Sequence, residues 1–343
     1  MQDTVADKTF SYLDGALVIS AEDILKKAAV KDDDIVVLSG TLVEGIGNRH
    51  SDLDIYVICK EKPSAEAIGG RNFVGLSQDG NVGQIYDYLD DVGFGFDVEY
   101  FTFDEIEALK AKIDAFHARA CSSSKILRPR LELAEDDAIH KFHVGTVLQG
   151  KTAFDRLLPQ STFEKMAFVM YRNRTGGYPE VKDMMGAWAS GDIDTCIQVT
   201  QMYLTEQASG LCHLLGSTNT KPKWVFANLK RLPAEFSEIG ERTRAWLLGD
   251  KSTDAKGREA ILQACDLIDD IFQAGGSILE RPGQHYSKAD AIKLTDQDYE
   301  RETFHDTQTK LEFEHRRCVI GQRSIPMRKF LAAGATTGVL EDV

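Results

Sequence analysis

What this chain lacks narrows its class first. None of its six cysteines, at positions 59, 121, 196, 212, 265 and 318, falls in a Cys-x-x-Cys pair, which argues against zinc and against a disulfide framework and leaves reduced, buried thiols as the expectation. No apolar run approaches the roughly 18 residues of a membrane span. The start, Met1-Gln2-Asp3-Thr4-Val5-Ala6-Asp7-Lys8, is polar, so a cytoplasmic protein without a membrane partner is expected. Positive charge is not in excess either. With 40 Lys and Arg against 54 Asp and Glu, the formal charge is −14. A broad nucleic-acid footprint is disfavoured, because phosphate backbones are bound by positive surfaces, whereas a cationic small molecule suits an acidic one. No internal repeat is evident.

Against those absences stands an ordinary globular composition, 43% apolar and 27% charged, in 343 residues, a length that suggests more than one core. The richest segment runs from Ile35 to Val57. Ile35-Val36-Val37-Leu38 reads as a buried strand that enters a tight turn at Ser39-Gly40-Thr41, where glycine lets backbone N–H groups approach an anion. A second strand is read from Ser51-Asp52-Leu53-Asp54-Ile55-Tyr56-Val57. Alternation puts Asp52 and Asp54 on one face and turns Leu53, Ile55 and Val57 toward the core. Two carboxylates side by side repel each other unless a cation neutralises them, and all-oxygen coordination is what Mg2+ takes when it also binds phosphates. Phe96-Asp97-Val98-Glu99-Tyr100-Phe101 has strand composition and sets Asp97 and Glu99 on one face, so it offers a third carboxylate.

The order of these parts, a glycine turn, Ser-Asp-x-Asp on a strand and a later acidic strand, resembles the nucleotidyltransferase superfamily typified by DNA polymerase β. The resemblance implies that Gly40 and Thr41 form the phosphate turn and that Asp52 and Asp54 are the paired metal ligands, with Asp97 or Glu99 the third. Asp97 is the expected metal ligand and Glu99 the first choice of general base, because it shares the metal-facing side of its strand. Thr41 replaces the commoner serine or glycine of the family turn. Glu44 stands where many members carry a basic residue, which leaves Arg49 as the nearby cation, with Ser51 beside it. The cofactors implied are a pair of Mg2+ ions and a nucleoside triphosphate, ATP, as co-substrate.

Along the chain, helix and strand alternate at first and helix follows almost throughout. A short helix is read from Ser20-Ala21-Glu22-Asp23 to about Val30, and strands over 35–38, 54–60, 71–76, 83–88 and 96–101. A helix over 103–120 closes this part, and Ser122-Ser123-Ser124 with Arg128-Pro129-Arg130 marks a boundary. Helices are read beyond it over 135–149, from a capping box at Ser161-Thr162-Phe163-Glu164 to Gly176-Gly177, and over 179–190, 194–215, 223–229, 235–248 and 254–274. The expected fold is α+β: a small mixed β-sheet nucleotidyltransferase domain flanked by helices, over 1–128, then an all-α helical bundle over 129–343 that binds the acceptor. This layout is similar to that of the kanamycin and aminoglycoside nucleotidyltransferases.

Lys223, just before Trp224 at a helix start, matches a pattern of small-molecule nucleotidyltransferases in which the lysine meets the triphosphate; Lys221 is the weaker choice. His140 and His143 lie on one helix face without a third ligand, and the basic run His315-Arg316-Arg317 with Arg323, Arg328 and Lys329 reads as a solvated face. The function implied is transfer of AMP to a hydroxyl of a small molecule such as an aminoglycoside, with release of pyrophosphate. Nucleotidylation of a protein or RNA acceptor and a non-catalytic nucleotide-binding module are the alternatives. A homodimer is compatible with the sequence.

Overall fold

The computed structural model describes residues 8–69, 71–76, 80–89, 93–124, 131–219, 221–281, 286–301 and 307–335. The polar start before Lys8, the Arg128-Pro129-Arg130 segment and Thr220 lie outside the described residues.

The chain opens with an antiparallel hairpin of β1 (Thr9–Tyr12) and β2 (Leu17–Ser20), which was not foreseen, and α1 (Ala21–Lys27), N-capped by Ser20. There follow β3 (Ile35–Ser39), β4 (Leu53–Cys59), β5 (Asn72–Val74), β6 (Gln84–Leu89) and β7 (Phe94–Thr102). Next come α2 (Phe103–Ala120), α3 (Leu133–Val144), β8 (Thr146–Gln149) and α4 (Lys151–Leu157). The remainder is helical: α5 (Gln160–Thr175), α6 (Tyr178–Ser190), α7 (Ile193–Leu214), α8 (Val225–Lys230), α9 (Ser237–Leu248) and α10 (Asp254–Leu279). It ends with α11 (Lys288–Arg301), α12 (Thr307–Val319) and α13 (Met327–Ala335).

β3 to β8 make one mixed sheet in the order β5-β6-β7-β4-β3-β8, in which β4 and β7 run parallel and every other pair is antiparallel. One face carries Val36, Leu38, Leu53, Ile55, Val57, Phe96, Val98 and Tyr100, buried together with Leu17, Ile19 and Ile24 of the hairpin and α1. The β-branched residues that favour an extended chain thus fill one core. The opposite face is apolar only at one end, where Phe142 of α3 packs edge-on against Tyr56 and Phe101, each at 5.6 Å between ring centroids. At its other end that face carries carboxylates.

The chain divides into two compact units, Met1–Ile113 with Leu131–Phe163, and Asp114–Arg130 with Glu164–Val343. The division differs from the expected 1–128 and 129–343. Residues 131–163 return to the first unit because β8 pairs with β3 and completes the sheet. The helix expected over 135–149 therefore stops at Val144. Gly145 turns to extended backbone, with φ −75° and ψ 162°, and Thr146–Gln149 continue as a strand. The expected capping box at Ser161 is absent as well, since α5 already starts at Gln160. The second unit has its own core, in which α6, α7, α10 and α13 contribute Met184, Tyr203, Leu204, Ile261, Ile268 and Phe330. All six cysteines are free. No helix among the described residues is long and apolar enough to cross a membrane.

Phe142 is 1% exposed and joins α3 to the sheet. Phe142→Ala should cost about 3–5 kcal/mol by loss of buried area and the cavity left behind, read as a fall in the urea midpoint. An unchanged midpoint would show that α3 is held by its polar contacts alone.

Candidate active site

Register places the acids. In the parallel pair, Asp54 stands opposite Asp97 and Tyr56 opposite Glu99; across the antiparallel pairs Ser39 meets Asp54, and Tyr86 meets Asp97. Directly paired residues share a face. Ser39, Asp54, Asp97, Tyr86 and Asn72 therefore form one continuous row across five strands. Asp52 lies just before β4, not inside it as expected, yet reaches the same face. A Cβ built on Gly95 of β7 would lie 1.9 Å from Asp52 Oδ1, and one on Gly40 would lie 1.7 Å from Asp54 Oδ2. Each carboxylate thus occupies the space of a missing side chain. Gly40 also has φ +91°, a conformation that L side chains rarely adopt.

After Gly40 the chain makes a single helical turn. The Glu44 N–H donates to Gly40 O at 2.9 Å, and Ile46 and Gly45 close it on Thr41 O and Leu42 O. The first amides, of Thr41, Leu42 and Val43, have no backbone acceptor among the described residues, the condition an anion can satisfy. The departure at Glu44 has a structural reason. Its carboxylate is buried 3.4 Å from His140 Nε2 and ties the turn to α3. The Ser51 hydroxyl accepts the Asn48 N–H at 2.9 Å and closes the loop that carries Arg49, which is exposed.

The electrostatics follow from the crowding. Burial and then the charges of Asp52, Asp54 and Glu99 push the Asp97 carboxyl up to about 7, against the opposing effect of Lys141. Tyr56 is held far above the usual phenol range by burial, then by Glu99 and Asp54, and its hydroxyl donates to Glu99 Oε1 at 3.5 Å. Partial desolvation, then Asp97 and Glu99, also raise Tyr86.

One functional side chain escaped the sequence reading. Lys141 of α3, 6% exposed, places its ammonium 3.2 Å from Asp54 Oδ1 and 5.7 Å from the centre of the Tyr56 ring. Its carbonyl accepts the Ser39 hydroxyl at 2.6 Å. The signal available was a lysine within the buried run Ala138-Ile139-His140-Lys141-Phe142, since a lysine in a core position needs an acid.

Lys223 belongs to the second unit, in the short 3-10 turn Pro222–Trp224, where its ammonium lies 5.2 Å from the Trp224 ring centre. His140 and His143 meet different neighbours: His140 stands beside Glu44, while His143 stacks on Phe163 with ring centroids 4.9 Å apart, and burial lowers its pKa. The C-terminal basic residues are paired, Arg316 with Glu312, Arg317 and Arg323 with Glu314, and Arg328 with Asp266.

The donor chemistry of Asp52, Asp54 and Asp97 fits Mg2+, being all hard oxygen with one carboxyl raised by burial and then by a repulsion that a cation would relieve. As the side chains stand, no group of three His, Cys, Asp or Glu among the described residues is arranged to hold a metal ion. The Lys141 ammonium supplies positive charge at Asp54.

No protein-family model matches the chain, and no curated protein matches it. Among solved structures, one described as a nucleotidyltransferase-like protein from Exiguobacterium sibiricum 255-15 aligns over 82% of this chain and 90% of its own, with 11% identity and a TM-score of 0.38. At that score the chemistry has to be argued from the residues of this chain.

Asp97 rises from 3.8 to about 7 on folding, so between those values the folded protein holds a proton that the unfolded chain has released. Stability therefore falls as pH rises through that window. Asp97→Asn should raise Tm at about pH 8 and shift it little at about pH 4; equal shifts in calorimetry at both would refute a strained carboxylate. Lys141→Met keeps the buried stem but removes the competing charge at Asp54. Titration calorimetry of the nucleotide-free protein should then show Mg2+ binding about tenfold tighter, and weaker binding would mean that the ammonium does not compete.

Proposed function

We propose that the chain is a nucleotidyltransferase that moves AMP from ATP to a hydroxyl of a small cationic molecule such as an aminoglycoside, releasing pyrophosphate. The observation that carries this reading is the cross-strand row, with an anion-ready turn at Gly40 and Thr41 beside Ser39 and two carboxylates in the adjoining positions. Asp52, Asp54 and Asp97 are the residues that would hold Mg2+. When bound, the metal supplies charge to neutralise the triphosphate and lowers the pKa of the acceptor hydroxyl.

The protein's own groups divide the remaining work. Amides of the turn hold the β- and γ-phosphates, with Ser51 and Arg49 on the loop that follows. Asp97, directly opposite Asp54, fits the third-ligand role better than Glu99, which is opposite Tyr56. Glu99 is left to act as base, oriented by the Tyr56 hydroxyl. In the transfer a bond forms between the acceptor oxygen and the α-phosphorus, and the bond from that phosphorus to the β-bridging oxygen breaks. The acceptor proton passes to Glu99, and pyrophosphate leaves with the bonding electron pair.

Incubation with α-labelled ATP, Mg2+ and an aminoglycoside panel should yield a labelled adduct and pyrophosphate, and Asp54→Asn should reduce the rate about 100-fold or more. Labelling of cellular RNA or protein instead would shift the acceptor class. A second reading, a nucleotide-binding module without catalysis, is favoured by the lysine already seated on Asp54. Mg2+-dependent ATP binding without turnover under any acceptor would establish it.

A further inference from the structure

Two large aromatic side chains stand exposed on the face that carries the acids. Tyr86 is 40% and Tyr88 51% exposed, while Ile85 between β6's outward positions is fully buried on the other face. Tyr86 is the direct partner of Asp97, and Tyr88 that of Gly95, the glycine over which the Asp52 carboxylate lies. The tyrosines thus continue the acid row by one strand, about 5 Å beyond β7. Two exposed tyrosine faces side by side on this strand can make the stacking and cation contacts open to an aromatic ring.

Direction along the row says what would meet them. The turn at Gly40 and Thr41 lies at the β3 side and the carboxylates on β4 and β7, with the tyrosines on β6 at the far side. In an in-line displacement the attacking oxygen and the leaving pyrophosphate lie on opposite sides of the phosphorus. With the leaving phosphates at the β3 side, the attacking molecule comes from the β6 side. The charges on this face are negative there: Asp52, whose carboxylate lies over Gly95, and Asp97 and Glu99 of β7.

We propose that Tyr86 and Tyr88 form the acceptor subsite, a platform on which a ring-bearing cation stacks with its hydroxyl toward Asp97 and Glu99; this rests on the nucleotidyl-transfer reading. The tyrosine faces supply contact area and attraction for the cation, and the acids supply the field that draws it in. The nucleotide needs neither tyrosine for its phosphates.

The test measures two affinities separately on the full chain: that of a non-hydrolysable α,β-methylene ATP with Mg2+, and that of kanamycin, as a cationic ring probe, in its presence. Tyr86→Ala with Tyr88→Ala should weaken kanamycin about tenfold or more while the nucleotide analogue binds as before. Tyr86→Phe with Tyr88→Phe, which keeps both rings, should retain most of the kanamycin affinity. Kanamycin binding that is indifferent to the alanine pair would overturn the platform, and so would a fall in analogue affinity in its place, which would assign the rings to the nucleobase. Kanamycin failing to bind the wild type that holds the analogue would overturn the cationic-ring assignment. If the wild type does not bind the analogue with Mg2+ at all, the nucleotidyl-transfer reading itself fails.

Discussion

Two aspartates held side by side against their own repulsion are the constraint on which the rest of this site depends. The parallel pairing of β4 with β7 sets Asp54 opposite Asp97, and backbone hydrogen bonds along the two strands prevent either carboxylate from retreating. The consequences spread outward. Burial, together with the crowded charges, holds the Asp97 proton to about pH 7 and keeps Tyr56 neutral, and the Lys141 ammonium stands at Asp54. Missing side chains at Gly40 and Gly95 make the room in which the carboxylates stand.

Such crowding persists only where something stiffer overrules it. The other face of the same strands is a packed layer of Val36, Leu38, Leu53, Ile55, Phe96 and Val98. A slip of one residue in either strand would turn those side chains to the acidic face. Burial of the apolar set therefore fixes the register, and the register fixes the acids. α3 adds the counter-charge: Phe142 anchors it on Tyr56 and Phe101, His140 grips Glu44 of the turn, and Lys141 lies between them.

Much of this was legible in the sequence, for a local reason. Asp52 with Asp54, and Asp97 with Glu99, were each read onto one face of their own strand because alternation within a strand is set by backbone geometry alone, and Gly40 was read as a turn because its conformation suits few other residues. The helix Phe103–Ala120 was read with the bounds it has. What was misread had a non-local partner. Thr146–Gln149 looked like the end of a helix and became a strand because β3 offered an open edge. Glu44 looked like a misplaced phosphate contact until His140 was seen beside it. Asp52 was assigned to the strand, although it reaches the acidic face from the loop before it.

The sequence by itself determined which residues alternate, where the chain turns at Gly40, and that Asp54, Asp97 and Glu99 would stand on strands. It also determined the apolar strands whose burial sets the register. Only the tertiary structure decided which acids become neighbours, which cation attends them and which tyrosines extend their row. The physical reason is range. Alternation and turn preference act over a few residues, while the Asp54–Asp97 pairing, the Lys141 contact and the placement of Tyr86 arise between segments far apart in the chain, which come together through hydrogen-bonded strand edges and the packing of α3.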